Sequence, residues 1–319
     1  MSAVGPNARP TDQGDEPQRD VAFARSAPAY GRWVSWIVVL TLAANGLWLV
    51  ATNPNFEWHV VLQWFTEGSV LKGLQVTLGL TVVSMVLGTL LGLLLAVWRL
   101  SENKLLSGVS ALYIWFFRGT PLLVQLIFWY NLSTLFPTLS ITVPWTDITF
   151  ASWNTNDLIT PLTAAIAGLA LNEAAYMAEI IRAGLLSVDH GQVETTQAFG
   201  MSRSRALRRI IIPQAMRAII PPTGNQLISM IKATSLVSVI AMGDLLYSVQ
   251  AVYNRTFEII PMLMVAVIWY LLITSILNVG QSAIERYYAR GSKRTVVVNK
   301  RRASSDTALA AAPRLKEDV

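Results

Sequence analysis

Cysteine is absent from this 319-residue chain, and histidine occurs only twice, at His59 and His190. Without cysteine there are no disulfides and no thiolate metal sites, and composition says nothing about redox compartment. The two histidines stand far apart, so nothing supports a histidine-based metal or haem site. Charge is also scarce. Asp, Glu, Lys and Arg make up 14% of the residues, where a soluble domain carries about 25%. The net charge of +6 does not point to nucleic acid, because no basic stripe interleaved with aromatics is present. The acids are scattered, so there is no constellation for a membrane enzyme and no residue is assigned to catalysis. No Gly-x-x-x-x-Gly-Lys-Ser/Thr phosphate loop occurs, so the chain does not itself bind ATP through that motif.

What the chain has is apolar residue, 53% of it, concentrated in long runs. Six runs are candidate spans, near the ~20 residues needed to cross a bilayer: roughly 33–51, 74–98, 109–132, 161–183, 218–242 and 260–284. Spanning segments in a cytoplasmic-type membrane must be helices, because lipid offers backbone groups no partners. The predicted fold class is therefore an all-α integral membrane protein of six transmembrane helices. Residues 1–31 and 287–319 are polar tails whose composition cannot bury a core; the second is basic, with Lys293, Arg294, Lys300, Arg301 and Arg302. The first helix, with the outer connection to residue 72, reads as an addition to the rest. Its polar lead of 32 residues is long for a signal peptide, which favours a retained helix over a cleaved one.

Lys and Arg set the orientation. Arg9, Arg19, Arg25 and Arg32 precede the first run, Arg99 and Lys104 follow the second, and Arg203, Arg205, Arg208, Arg209 and Arg217 crowd the 184–217 connection. The alternate connections are nearly free of them: 52–73 holds Lys72, 133–160 none and 243–259 Arg255. Both termini and the 184–217 connection are thus expected in the cytoplasm. The outer 133–160 connection holds Trp145, Trp153, Asp147 and Asp157; its tryptophans suit either the membrane interface or a docking surface for an outside partner.

The 184–217 connection reads as two short helices at an angle. Gly184 and Gly191 punctuate its start, Gly200 breaks a helix-permissive run, Ser202 can cap a second helix, and Pro213 ends or kinks it. Ala198, Phe199 and Met201 are left exposed at the bend. An apolar knob on a short helix suits a groove on a partner; a helix lying on the lipid surface is the alternative.

Glu194, Gly200, Ile210 and Pro213 stand at the spacing of the Glu-Ala-Ala…Gly…Ile-x-Leu-Pro loop of ABC-transporter permeases. Leu-Asn-Glu-Ala-Ala-Tyr-Met-Ala-Glu-Ile-Ile-Arg-Ala-Gly begins at 171, Arg-Gly-Thr-Pro-Leu-Leu-Val-Gln at 118, Lys-Ala-Thr-Ser-Leu-Val-Ser at 232 and Gly-Leu-Gln-Val-Thr-Leu at 73. Together these resemble the polar amino acid branch of ABC importer permeases, the group of the histidine, glutamine and arginine permeases. Thr195, Thr196 and Ile212 depart from the family pattern but stay small or apolar. The resemblance covers roughly 70–285 and implies a permease domain over 73–286. It further implies a second permease protomer, a separate ATPase dimer that binds ATP and Mg, and an extracytoplasmic binding protein docking on the 52–73, 133–160 and 243–259 connections. It marks Glu194, Ala198, Phe199, Gly200, Met201, Ile210 and Pro213 as the ATPase-coupling loop.

Glu173, Asn225, Lys232 and Ser235 are the candidate translocation path. Glu173 falls ~18 Å along its helix and Lys232 ~21 Å along the next, at 1.5 Å per residue, so both lie within the hydrocarbon. They are suited to the ammonium and carboxylate of an amino acid, or to neutralising each other, as intramembrane charges often do. Glu179 and Arg182 are an i, i+3 structural pair. Pro121 is read as a packing kink, and Gly88 with Gly92 as a close helix contact. A secondary transporter would show an inverted repeat, which is not apparent. An opine-like cargo is the alternative to a polar or charged amino acid.

Overall fold

The computed structural model describes residues 30–143 and 149–289. The tails, together with Trp145 and Asp147, lie outside the described residues. The chain divides at Asn53/Pro54 into two units. The first contains α1, Tyr30–Thr52, an uncharged apolar helix apart from Arg32, long enough to cross a membrane.

The second unit is helical apart from one hairpin. A short helix α2 (Trp58–Phe65) leads into the long α3 (Gly68–Arg99). Then come α4 (Lys104–Gly119), α5 (Leu122–Tyr130) and a single turn, α6 (Leu132–Leu135). Strands β1 (Thr138–Thr142) and β2 (Thr149–Asn154) pair antiparallel, and the turn α7 (Thr155–Leu158) follows. Next are α8 (Pro161–Leu186), α9 (His190–Ala198), α10 (Arg203–Ala206), α11 (Ile212–Ala233), α12 (Leu245–Thr256) and α13 (Ile259–Ala289).

Four of these, α1, α3, α8 and α13, are continuous helices long and apolar enough to span. Two bent pairs are long and apolar enough to add one span each: α4 and α5 meet at 102°, and the helical path from Arg203 to Ile240 meets α12 at 46°. The third span, read from sequence as kinked, is therefore a sharp elbow at Thr120–Pro121. Pro121 lacks the N–H that would continue α4 and biases the preceding residue to extended backbone; Thr120 has φ −113° and ψ 143°.

Helix α8 is the centre. Small residues make it so: Ala164, Ala165, Ala174, Ala175 and Ala178 are fully buried. Small residues let backbones approach closely in lipid, where helix association rests on packing rather than on water exclusion. Helix α3 supplies the matching gap. A methyl on Gly92 would fall 2.7 Å from Met177 Cβ and 2.9 Å from the Ala174 carbonyl, and one on Gly88 2.8 Å from Glu173 Cβ. The Gly-x-x-x-Gly pair thus seats α3 on α8, and Gly88 lies directly against the side chain of Glu173.

Two apolar clusters flank this contact. Leu80, Met85, Leu126, Leu169 and Met230 join α3, α5, α8 and α11, with Val237 just beyond α11 packed among them. Val61, Val70, Leu245, Val249, Met262 and Val265 join α2, α3, α12 and α13. In the second cluster Phe65 stacks on Trp269 at 4.5 Å, and the Trp269 indole N–H donates to the Phe65 carbonyl at 2.9 Å.

The second break is closed by side chains. Ala241 turns the chain with φ 55°. Asp244, fully buried, accepts from the Leu246 and Tyr247 amides, and the Thr77 hydroxyl on α3 accepts from Leu245 N at 3.0 Å. Three of the first N–H groups of α12 are therefore satisfied without water.

Gly92→Ala is expected to lower the thermal unfolding temperature of the detergent-purified protein, because overpacking costs about 1–3 kcal/mol. Gly79→Ala, with open space around it, is expected to leave it in place; equal melting of both variants with wild type would mean the α3–α8 fit is loose.

Candidate functional site

Two regions carry candidate function: the α9–α11 connection and a pair of cavities along α8. The connection starts at Asp189, whose carboxylate caps α9 by accepting from Gly191 N at 2.7 Å. Thr195 and Thr196 return their hydroxyls to the Gly191 and Val193 carbonyls. At the other end Gly200 has φ +64°. Gly200 N donates to Gln197 O and Met201 N to Thr196 O, the paired bonds of a glycine-terminated helix. A residue with a β-carbon is strained in that conformation.

The bend presents a knob. Phe199 is 81% exposed, with Ala198 exposed beside it and Met201 half-buried. Glu194 is exposed, Ile210 half-buried and Pro213 exposed. Glu194 makes no ion pair; among the described residues the one ion pair is Glu179–Arg182. The shape of the connection is held by its caps and by the threonine hydroxyls.

Two readings of this stretch are corrected. Ser202 stands at the N-cap of α10 but makes no capping side-chain bond. Pro213 does not end the helix. A single π-helical turn over Leu207–Ile211 carries α10 directly into α11, with Pro213 in the first turn of α11. The wider π turn shifts the hydrogen-bond register just ahead of Pro213, so its ring and missing N–H bend the path without ending it. The result is one helical path from Arg203 to Ala233, tied back to α9 by Gln214 and Gln192 at 3.5 Å.

That path leads to the cavities. One, of about 270 Å³, is lined by Asn172, Glu173 and Tyr176 of α8, by Leu122 of α5, and by Gln226, Ser229 and Met230 of α11. The other, of about 360 Å³, is lined by Arg118, Tyr176, Glu179, Pro222 and Gln226. Tyr176 and Gln226 border both. Glu173 is only 5% exposed, and its Oε1 is buried without a hydrogen-bond partner among the described residues. A buried unsatisfied carboxylate oxygen at a cavity wall is costly unless something else occupies the site.

Lys232 is not that partner. It is exposed and forms no ion pair with Glu173, so the mutual neutralisation considered from sequence is not made. Asn225, Ser229 and Lys232 fall at i, i+4 and i+7 on α11, and all three are exposed. Ser235 donates its hydroxyl to the Lys232 carbonyl at 2.7 Å. Of the four candidate path residues, the structure places Glu173 on a cavity wall; Asn225, Lys232 and Ser235 lie off both linings. Glu179 and Arg182 pair at 2.8 Å as expected.

The α4–α5 elbow shapes the other wall. Phe117 O accepts from Gln125 Nε2 at 3.1 Å and from Asn172 Nδ2 at 3.0 Å. Gln125 Nε2 also reaches the Thr120 hydroxyl at 2.7 Å, and Gln125 Oε1 accepts from Asn172 at 3.2 Å. With the elbow carbonyls satisfied in this way, Arg118 is released to lie 5.4 Å from the Tyr176 ring centroid, within cation–π range. Gln125, Asn172, Tyr176, Gln226 and Ser229 were not singled out from sequence. The available signal was spacing: Asn172, Tyr176 and Glu179 recur at i, i+4 and i+7, and Gln125 is a polar residue four positions after a mid-span proline.

Bent pairs of apolar helices around cavities with a few polar wall residues, together with a capped helix that exposes Phe199, fit a membrane transport subunit. Residues 88–289 match the binding-protein-dependent transport system inner membrane component family. The chain belongs to that family and, within it, to the polar amino acid permeases of ABC importers. It is 44% identical over 278 residues, 86% of each chain, to the arginine transport system permease protein ArgU of Corynebacterium glutamicum. It is 35% identical over 221 residues to the histidine/lysine/arginine/ornithine transport system permease protein HisM of Salmonella typhimurium, covering 69% of this chain and 90% of HisM. A crystal structure of an amino acid ABC transporter with histidines superposes with a TM-score of 0.58 at 36% identity, covering 69% of this chain and 94% of that one.

Gln125→Leu is expected to destabilise the protein by about 1–3 kcal/mol, the cost of leaving buried polar groups unpaired, read as a lower unfolding temperature. Unchanged melting would show that the elbow is satisfied without Gln125.

Proposed function

We propose that this inner-membrane, multi-pass permease imports a basic amino acid, with the α9–Gly200 bend docked into a separate ATPase. The observation that carries the reading is the unbroken helical path Arg203–Ala233. It joins the exposed Phe199 bend to the helix whose Gln226, Ser229 and Met230 line the cavity. A displacement of the bend passes through residues 199–202 into a continuous helical path, which carries it past the π-helical turn and the Pro221–Pro222 pair to the cavity wall.

The orientation follows the arginines, with both termini and the α9–α11 connection in the cytoplasm. Ala198, Phe199 and Met201 fill the ATPase groove, Gly200 sets the bend, and Glu194, Ile210 and Pro213 frame it. ATP and Mg belong to the ATPase, which closes on ATP and reopens after hydrolysis; no cofactor is held by this chain. ATP binding then favours one access state of the cavity, and by linkage substrate in the cavity biases the ATPase. An extracytoplasmic binding protein supplies substrate from the opposite side.

Cargo follows from Glu173. Its unpaired oxygen lacks a cation, and a guanidinium or ammonium group fills that need. Arginine is the substrate named for ArgU, and basic amino acids are among those named for HisM. Arg118, held on Tyr176 at the adjoining cavity, is placed for the substrate carboxylate. A second permease protomer covers Asn225 and Lys232, since polar side chains in mid-membrane face protein or a cavity rather than lipid.

Gly200→Val is expected to abolish ATP-dependent uptake in proteoliposomes by at least tenfold while leaving membrane insertion intact. Copurification with a P-loop ATPase is expected for wild type and weakened for Phe199→Asp. Coupled uptake at the wild-type rate in both variants would remove the docking assignment.

A further inference from the structure

The β1–β2 hairpin is not used by the mechanism above. Its register places Leu139 opposite Trp153 and Ile141 opposite Ala151, with Ser140 opposite Ser152 and Thr138 opposite Asn154. Directly opposed residues share a face and successive residues alternate. One face is therefore Leu139, Ile141, Ala151 and Trp153, and the other is threonine, serine and asparagine. Neither strand carries a charge. A bulge beside Ile141/Thr142 leaves Phe150 unpaired and 72% exposed. Ile141 is 58% and Trp153 46% exposed.

The hairpin is firmly mounted. Thr155, fully buried, donates its amide to Pro137 O at 3.0 Å and its hydroxyl to Phe136 O. The Asn154 side chain accepts from Asn156 N at 3.0 Å and so caps α7, and the Thr163 hydroxyl ties Leu158 O to the first turn of α8. A rigid two-stranded element is thus fixed at the ends of two spans. Exposed apolar residues flank it along the chain, Leu135 and Phe136 before β1 and Leu158 and Leu162 after β2, between the end of α5 and the first turn of α8.

We propose that the hairpin lies in the outer headgroup layer, its Leu139–Ile141–Trp153 face immersed in lipid and its Thr138–Ser140–Ser152 face turned to solvent. Lipid is the occupant because the hairpin is tied to the first turn of α8, a helix long and apolar enough to span, exposed apolar residues flank it on both sides, and neither strand carries the charge that steers a protein partner. Trp beside apolar residues suits this layer, where the ring meets both hydrocarbon and water. The hairpin would then brace the outer end of α8 and leave its polar face free. Only the word "outer" rests on the orientation proposed above.

The cysteine-free chain allows a direct test with single-cysteine variants Ile141→Cys, Trp153→Cys and Ser152→Cys, each labelled with an environment-sensitive NBD probe in phosphatidylethanolamine/phosphatidylglycerol vesicles. Probes at 141 and 153 are expected to be quenched by brominated phospholipid and at least threefold less by iodide than the probe at 152. Equal iodide quenching at all three positions, with no lipid quenching, would overturn the proposal. So would shielding at 141 and 153 that persists in detergent, which assigns the face to a second copy, or that appears only on adding the binding protein. Labelling of Ser152→Cys by an impermeant maleimide from the inner side alone would refute the orientation while leaving the lipid contact standing.

Discussion

Hydrocarbon offers no hydrogen bonds, and each interruption of a spanning helix in this protein is built around that constraint. At the α4–α5 elbow Gln125, Asn172 and the Thr120 hydroxyl take up the carbonyls released by Pro121. At the second break Asp244 and Thr77 take up the amides of α12. These polar clusters let two spans depart from straight helices without exposing backbone to lipid. The departures in turn open space beside α8. The cavities are thus a consequence of how the breaks are closed, and Asn172 serves both, bonding Phe117 O while lining the cavity next to Glu173.

The α3–α8 contact fixes the remaining wall. Gly88 leaves no room between its backbone and Glu173, so the carboxylate is pressed toward the cavity. On the α9–α11 connection, π-helical widening at Leu207–Ile211 carries the helix past Pro213 without a break. In the proposed mechanism that widening matters more than any single contact, because it converts a docking loop into the end of a lever.

Much of this was legible in sequence. Apolar runs located the four continuous helices α1, α3, α8 and α13 to within about six residues at either end, and the α9 bend at Gly200 follows from glycine, since a residue without a β-carbon adopts φ +64° cheaply. The i, i+3 pair Glu179–Arg182 likewise needs nothing beyond helix geometry. What sequence did not supply was long-range. Glu173 and Lys232 are near the same membrane depth, yet depth says nothing of the helix face, and Lys232 falls on the exposed side of α11. Pro213 has the local chemistry of a helix end, and only the turn that precedes it lets the helix continue. The elbow network joins residues 117, 125 and 172, a pairing that no local pattern reveals.

The central claim is that the unpaired carboxylate of Glu173 receives the cationic group of the transported amino acid. Equilibrium binding of radiolabelled L-arginine to the purified permease–ATPase complex, without its binding protein, tests it directly. The account predicts that Glu173→Gln weakens binding at least tenfold, about 1.4 kcal/mol, with the complex still assembled. Wild-type affinity in an assembled Glu173→Gln complex would contradict it.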